Sequence, residues 1–223
     1  MLTIVLNNIY LSYMKTNLLN KRFKYTYSNA TFILIAINVI IFIITNVLWP
    51  KGIYYLSMIP SFVINGYVYQ LFTYMFVHAD FTHILFNMIA LFIFGQALEK
   101  RLGTREFLLY YLLVGTLSGI FSFFSYFFAK QDAVLLGASG SVYGILLLFA
   151  VFFPFAKVYV FGILPIRAPL LIILFFFIEL FSQFSGANTG VAHLTHLAGL
   201  FFGYIYCLIR MKINPLEVWR RTL

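Results

Sequence analysis

Ser139 stands in the run Gly137-Ala138-Ser139-Gly140-Ser141, where very small residues open an apolar stretch around a hydroxyl. A serine hydroxyl attacks a carbonyl only when a neighbouring base takes its proton, and imidazole titrates in the right range to do so. The four histidines are His78, His83, His193 and His196. His196, Gly199 and Gly203 follow the spacing i, i+3, i+7, which puts a base and two bare backbone positions on one helical face. Gly140 and Gly144 form a second small-residue strip beside Ser139, and such strips let helix backbones approach closely. If the strips meet, Ser139 and His196 meet with them. His83 and Asn87, one helical turn apart, share another face. They offer hydrogen-bond donors to a developing oxyanion, together with the Ser139 backbone N–H at its helix start. Tyr143 shares the face of Ser139 and could stack on the imidazole. His78 reads as a structural loop residue. The plainer alternative is that Ser139 packs helices and that His83 and Asn87 are hydrogen-bonding partners between them.

Composition sets what must position these residues. With 63% hydrophobic and 9% charged residues and a mean hydropathy of +0.96, the sequence is that of a polytopic membrane protein. A hydrocarbon core of about 30 Å takes roughly 20 helical residues. Apolar runs at 31–48, 84–98, 107–128, 139–153, 168–184 and 191–209 predict an all-α, six-helix membrane domain over 31–210. Cytoplasmic tails flank it at 1–30 and 211–223. No secretory signal is read in the first tail, and a weakly amphipathic stretch lies at 9–14. Residues 49–81 are too apolar for a free loop yet broken by Pro60 and Gly66, so a partly embedded outer loop is expected there. The net charge of +9 is an orientation signal: with both termini cytoplasmic, 13 of the 15 Lys and Arg lie inside. That distribution leaves no nucleic-acid footprint.

In this topology the second, fourth and sixth spans all run from outside to inside. His83, Asn87, Ser139 and His196, each near the start of its span, then share one layer below the outer face. Glu179 lies toward the outer end of the fifth span. An intramembrane acid is a functional candidate, but snorkelling or a single hydrogen bond accounts for it equally well. Without an acid assigned to the base, the set reads as a Ser-His dyad. Metal binding by the histidines is the competing chemistry. The H-E-x-x-H signature is absent and the reading gives neither histidine pair an accompanying carboxylate, so no metal is assigned. Thr104 is a candidate cap for the third helix. The lone Cys207 permits no internal disulfide.

Three motifs, His78-x4-His83-x3-Asn87, Gly137-Ala138-Ser139-Gly140 and His196-x2-Gly199-x3-Gly203, appear in order on these helices. On them the chain resembles the rhomboid intramembrane serine proteases of the six-helix bacterial type. The resemblance implies that Ser139 is the nucleophile and His196 its general base. It makes His83, Asn87 and the Ser139 backbone the oxyanion hole, with Tyr143 packed on His196. It further implies cleavage of transmembrane protein substrates in the plasma membrane, at a site toward the extracytoplasmic side, with no cofactor. A non-catalytic rhomboid-like protein that binds transmembrane helices is the alternative, and the oligomeric state stays open. One departure is visible: Tyr69-Gln70 stand where many rhomboids have Trp-Arg, which puts the outer loop's stability in question.

Overall fold

The computed structural model describes residues 21, 23–160, 162–185 and 192–222. Six apolar helices carry the fold: α1 (Ala30–Leu48), α2 (Phe81–Leu102), α3 (Thr104–Phe128), α4 (Ser139–Phe152), α5 (Ala168–Phe184) and α6 (His193–Met211). By length and composition α1, α2, α3 and α6 could each cross a membrane; α4 and α5 are shorter. The shortness of α4 goes with its position. It is the central helix, packed on α3 and α6, and residues such as Val142, Ile145, Leu148 and Ala150 are buried against neighbours.

The polarity of the molecule is that of a multi-pass membrane protein. Ile33, Ile40, Phe86, Phe92, Phe124, Phe177 and Phe181 are exposed on the outside, while Asn38, Ser118, Ser122 and Thr195 are buried within. Bare apolar surface of this extent is stable where the surroundings are lipid tails, and the polar groups inside find partners there. Ser122 and Thr195 hydroxyls, for example, join α3 to α6 at 2.8 Å. At the opposite end of the bundle from Ser139, buried Glu99 accepts the N–H groups of Ala30 and Thr31 and the hydroxyls of Thr31 and Thr104. It thereby satisfies the orphan donors at the start of α1. Thr104 consequently does not cap α3 as the sequence suggested, because its hydroxyl is committed to Glu99 and Gly103 holds the cap position.

The segment between α1 and α2 is ordered by short helical turns, Gly52–Leu56, Pro60–Ile64, Gln70–Thr73 and Tyr74–Phe76. Gln70 answers the question raised by the missing cation. Its fully buried amide accepts from Ile59 N–H and donates to the carbonyls of Tyr54 and Tyr55 at 2.9 and 3.0 Å. Met58 pairs reciprocally with Leu135, tying this segment to the approach to α4.

The connection after α4 contains an antiparallel hairpin of β1 (Lys157–Val160) and β2 (Leu164–Arg167), with Lys157 opposite Arg167. After α6 a short helix, α7 (Pro215–Arg220), docks through the Trp219 indole N–H on the Ala150 carbonyl at 3.1 Å. The stretches 9–14 and 186–190 lie outside the described residues.

Candidate active site

The glycine strips of α4 and α6 lie face to face. A Cβ added to Gly199 would stand 2.1 Å from the Gly140 carbonyl oxygen, and one added to Gly203 would stand 3.3 Å from Gly144 Cα. Backbone contact this close in the N-terminal half of both helices brings the first residue of α4 beside the first turn of α6. Ser139 Oγ consequently lies 2.7 Å from His196 Nε2, a hydrogen bond between residues 57 apart in sequence. The Tyr143 ring stacks on the imidazole at 4.3 Å between centroids and 9° between planes, which restricts its rotation. His196 is 8% exposed, so the pair is mostly shielded but reachable.

On the other side of the hydroxyl, Gly137 holds a left-handed φ of 121°. A Cβ there would stand 2.7 Å from His83 Nε2 and 3.7 Å from Ser139 Oγ. The bare backbone of Gly137 thus lets the His83 ring close up beside the Ser139 hydroxyl. His83 is set by its helix start, where Asp80 Oδ1 accepts the His83 N–H at 2.8 Å and caps α2. Asn87 lies on the same face, one of its amide N–H groups donating to the His83 carbonyl at 2.9 Å. His78 is fully buried, its ring edge-on to His83 at 5.0 Å, and its Nε2 accepts the Ala138 N–H at 3.4 Å. Burial, with His83 adjoining, holds its pKa down to about 3. It is a neutral brace for the turn that presents Ser139. Gly137 N–H, donating to the Tyr74 carbonyl at 3.0 Å, anchors the same turn from the segment between α1 and α2.

The residue that sequence reasoning left undecided is Glu179. It is 5% exposed and stands behind the base. Its Oε1 lies 3.0 Å from His196 Nδ1, on the side of the ring away from Ser139, and also accepts the Tyr143 hydroxyl; its Oε2 lies 2.5 Å from His193 Nδ1. The expectation that no carboxylate accompanies the His193 and His196 pair is therefore corrected. The acid comes from α5, and no spacing rule links it to α6. The available signal was that a buried acid among apolar residues must find donors. Glu179, His193 and His196 each offer a ligand atom within 4.8 Å of the others, which is the cluster among the described residues with the donors a metal ion would take.

A family model, the Rhomboid domain, matches residues 65–213. The chain is 40% identical over 83 residues to the putative rhomboid protease YdcA of Bacillus subtilis, covering 37% of this chain and 40% of that protein. It is 28% identical over 127 residues to the rhomboid protease GlpG of Haemophilus influenzae, covering 56% of this chain and 64% of that one. It is 35% identical over 86 residues to the rhomboid protease GluP of Bacillus subtilis, covering 39% and 16%. The chain thus spans less than two thirds of the length of each of these relatives.

Proposed function

The chain belongs to the rhomboid family, and from that premise we propose that it is an intramembrane serine protease in which Ser139 is the nucleophile and His196 the base. The observation that carries this reading is the 2.7 Å contact between Ser139 Oγ and His196 Nε2, made at the starts of α4 and α6. All six apolar helices cross the membrane with both termini cytoplasmic, which puts the reaction layer near the extracytoplasmic face of the plasma membrane. The membrane domain takes up 31–210, between tails at 1–30 and 211–223. Its substrates are transmembrane proteins, cut in or near the membrane.

In acylation Ser139 Oγ bonds to the scissile carbonyl carbon as its proton passes to His196 Nε2. The oxyanion forms beside Gly137, where His83, Asn87 and the Ser139 N–H supply donors. The imidazolium then protonates the departing amine nitrogen as the C–N bond breaks. Water, deprotonated by the same imidazole, resolves the acyl-enzyme and returns Ser139 to its starting state. No step calls on a cofactor.

The test is cleavage of transmembrane reporter segments by purified protein in detergent. Ser139→Ala and His196→Ala are each expected to abolish turnover in a folded protein. Asn87→Ala should lower it by up to about 10²-fold, the scale of one oxyanion donor. Cleavage persisting in Ser139→Ala would sink the nucleophile assignment. A folded wild type that binds several reporters and cuts none would favour the helix-binding alternative.

A further inference from the structure

We propose that Glu179 is a positioning residue for His196, completing a Ser139–His196–Glu179 triad in which Tyr143 and His193 hold the carboxylate in place. This rests on the reading of His196 as base. Three observations converge on it. The two imidazole nitrogens of His196 face different partners, Nε2 toward Ser139 at 2.7 Å and Nδ1 toward Glu179 at 3.0 Å. His196 Nδ1 is buried and has no aligned hydrogen-bond partner among the described residues, so the nearest acceptor for its proton is this carboxylate. The carboxylate is itself gripped: Tyr143 donates to Oε1 from the ring that stacks on His196, and His193 adjoins Oε2 at 2.5 Å from one turn earlier on α6.

A carboxylate so placed selects the tautomer with the proton on Nδ1, leaving Nε2 free to accept from Ser139. When the Ser139 proton arrives at Nε2 the ring becomes a cation with N–H groups on both nitrogens. Glu179 then faces the Nδ1–H of a positive ring inside a low-dielectric bundle, where an opposed charge is worth far more than in water. The proton on Nε2 passes to the leaving amine. Glu179 gains none and remains a carboxylate throughout, so the charge it stabilises appears only as the reaction proceeds. The same carboxylate joins α4, α5 and α6 at the reaction layer. Its neighbours along α5 on the lipid side, Phe177, Ile178 and Phe181, are all exposed.

The experiment compares wild type with Glu179→Gln and His193→Gln in the reporter assay, measuring kcat and KM separately. Detergent-state thermal midpoints and the rate of Ser139 labelling by a fluorophosphonate are recorded alongside. Glu179→Gln keeps the size of the side chain and removes its charge. It is expected to lower kcat and the labelling rate by about 10²- to 10⁴-fold with KM nearly unchanged, on the scale of losing the acid of a triad. His193→Gln should give a smaller kcat loss of the same form. In the wild type carrying a phosphonate on Ser139, the His196 Nδ1–H proton should be strongly deshielded in the proton NMR spectrum; this reading does not depend on any variant folding. Unchanged kcat in a folded Glu179→Gln would overturn the proposal. So would a loss explained by a fallen thermal midpoint, or the absence of the deshielded proton. Activity that a chelator removes and added zinc restores would also overturn it, by assigning Glu179, His193 and His196 to a metal ion. Loss in Ser139→Ala with full activity in Glu179→Gln would leave the protease reading standing and remove only the triad.

Discussion

An oxyanion needs its donors within reach, and at Gly137 the approach of the His83 ring to the Ser139 hydroxyl depends on a single absent side chain. Alanine there would carry two penalties. Its φ of 121° is one that L-residues adopt at a cost of about 1–3 kcal/mol. Its Cβ, 2.7 Å from His83 Nε2, would push that ring away from Ser139. Gly137→Ala should therefore remain a folded helical protein and lose peptide cleavage by at least about 10²-fold, the scale of a disabled oxyanion donor. Reporter kinetics with circular dichroism checks this; cleavage at the wild-type rate would show that the oxyanion does not depend on the His83 ring standing there. The Glu179 prediction belongs to the same scale, since one charge is removed while the shape remains. His78 shows the other use of histidine. It is buried and neutral, and it serves the backbone of the nucleophile's turn.

Helices position these groups through the bare contact of α4 with α6. Gly199 is its tightest point, with a Cβ only 2.1 Å from the Gly140 carbonyl oxygen, a distance no backbone atom pair tolerates. Gly199→Ala should part the two helices and lower stability by about 1–3 kcal/mol, the usual cost of overpacking. Activity should fall further than stability, because the hydrogen bond from Ser139 to His196 spans the same interface. Thermal unfolding in detergent measured beside the fluorophosphonate labelling rate separates the two effects. Equal stability and equal labelling would mean that the helices do not need this approach. The strip was legible in the sequence since the glycines at i+3 and i+7 from His196 share its face whatever that helix packs on. Gln70 was not legible in this way, because its three partners are backbone groups of residues 11 to 16 positions earlier.

For the whole molecule, the charge distribution predicts that Lys51 faces outside and Lys100 inside. Both are exposed, and the natural cysteine, Cys207, is fully buried, so single cysteines placed at these sites report on topology with little background. Lys51→Cys should react with a membrane-impermeant maleimide on intact cells, and Lys100→Cys only after permeabilisation. The reverse pattern would invert the bundle and place the Ser139 layer on the cytoplasmic side. The exposed Phe and Ile belt and the buried hydroxyls already mark the molecule as a multi-pass membrane protein.

Sequence by itself determined what depends on one helix at a time. Apolar length marks the candidate spans, the basic residues predict an orientation, and the small strips beside Ser139 and His196 show which faces can touch. These are local periodicities, and the hydrophobic thickness of a bilayer aligns polar first turns at one depth without any tertiary information. Only the tertiary structure decided what depends on two helices meeting at a given rotation. It brought Glu179 of α5 behind His196 of α6, set His78 under the Ala138 N–H, and turned the Thr104 hydroxyl to Glu99 instead of its own helix. Each is a pairing between distant segments in which a buried polar group must find a partner. The sequence states that need, but which partner meets it is a matter of packing.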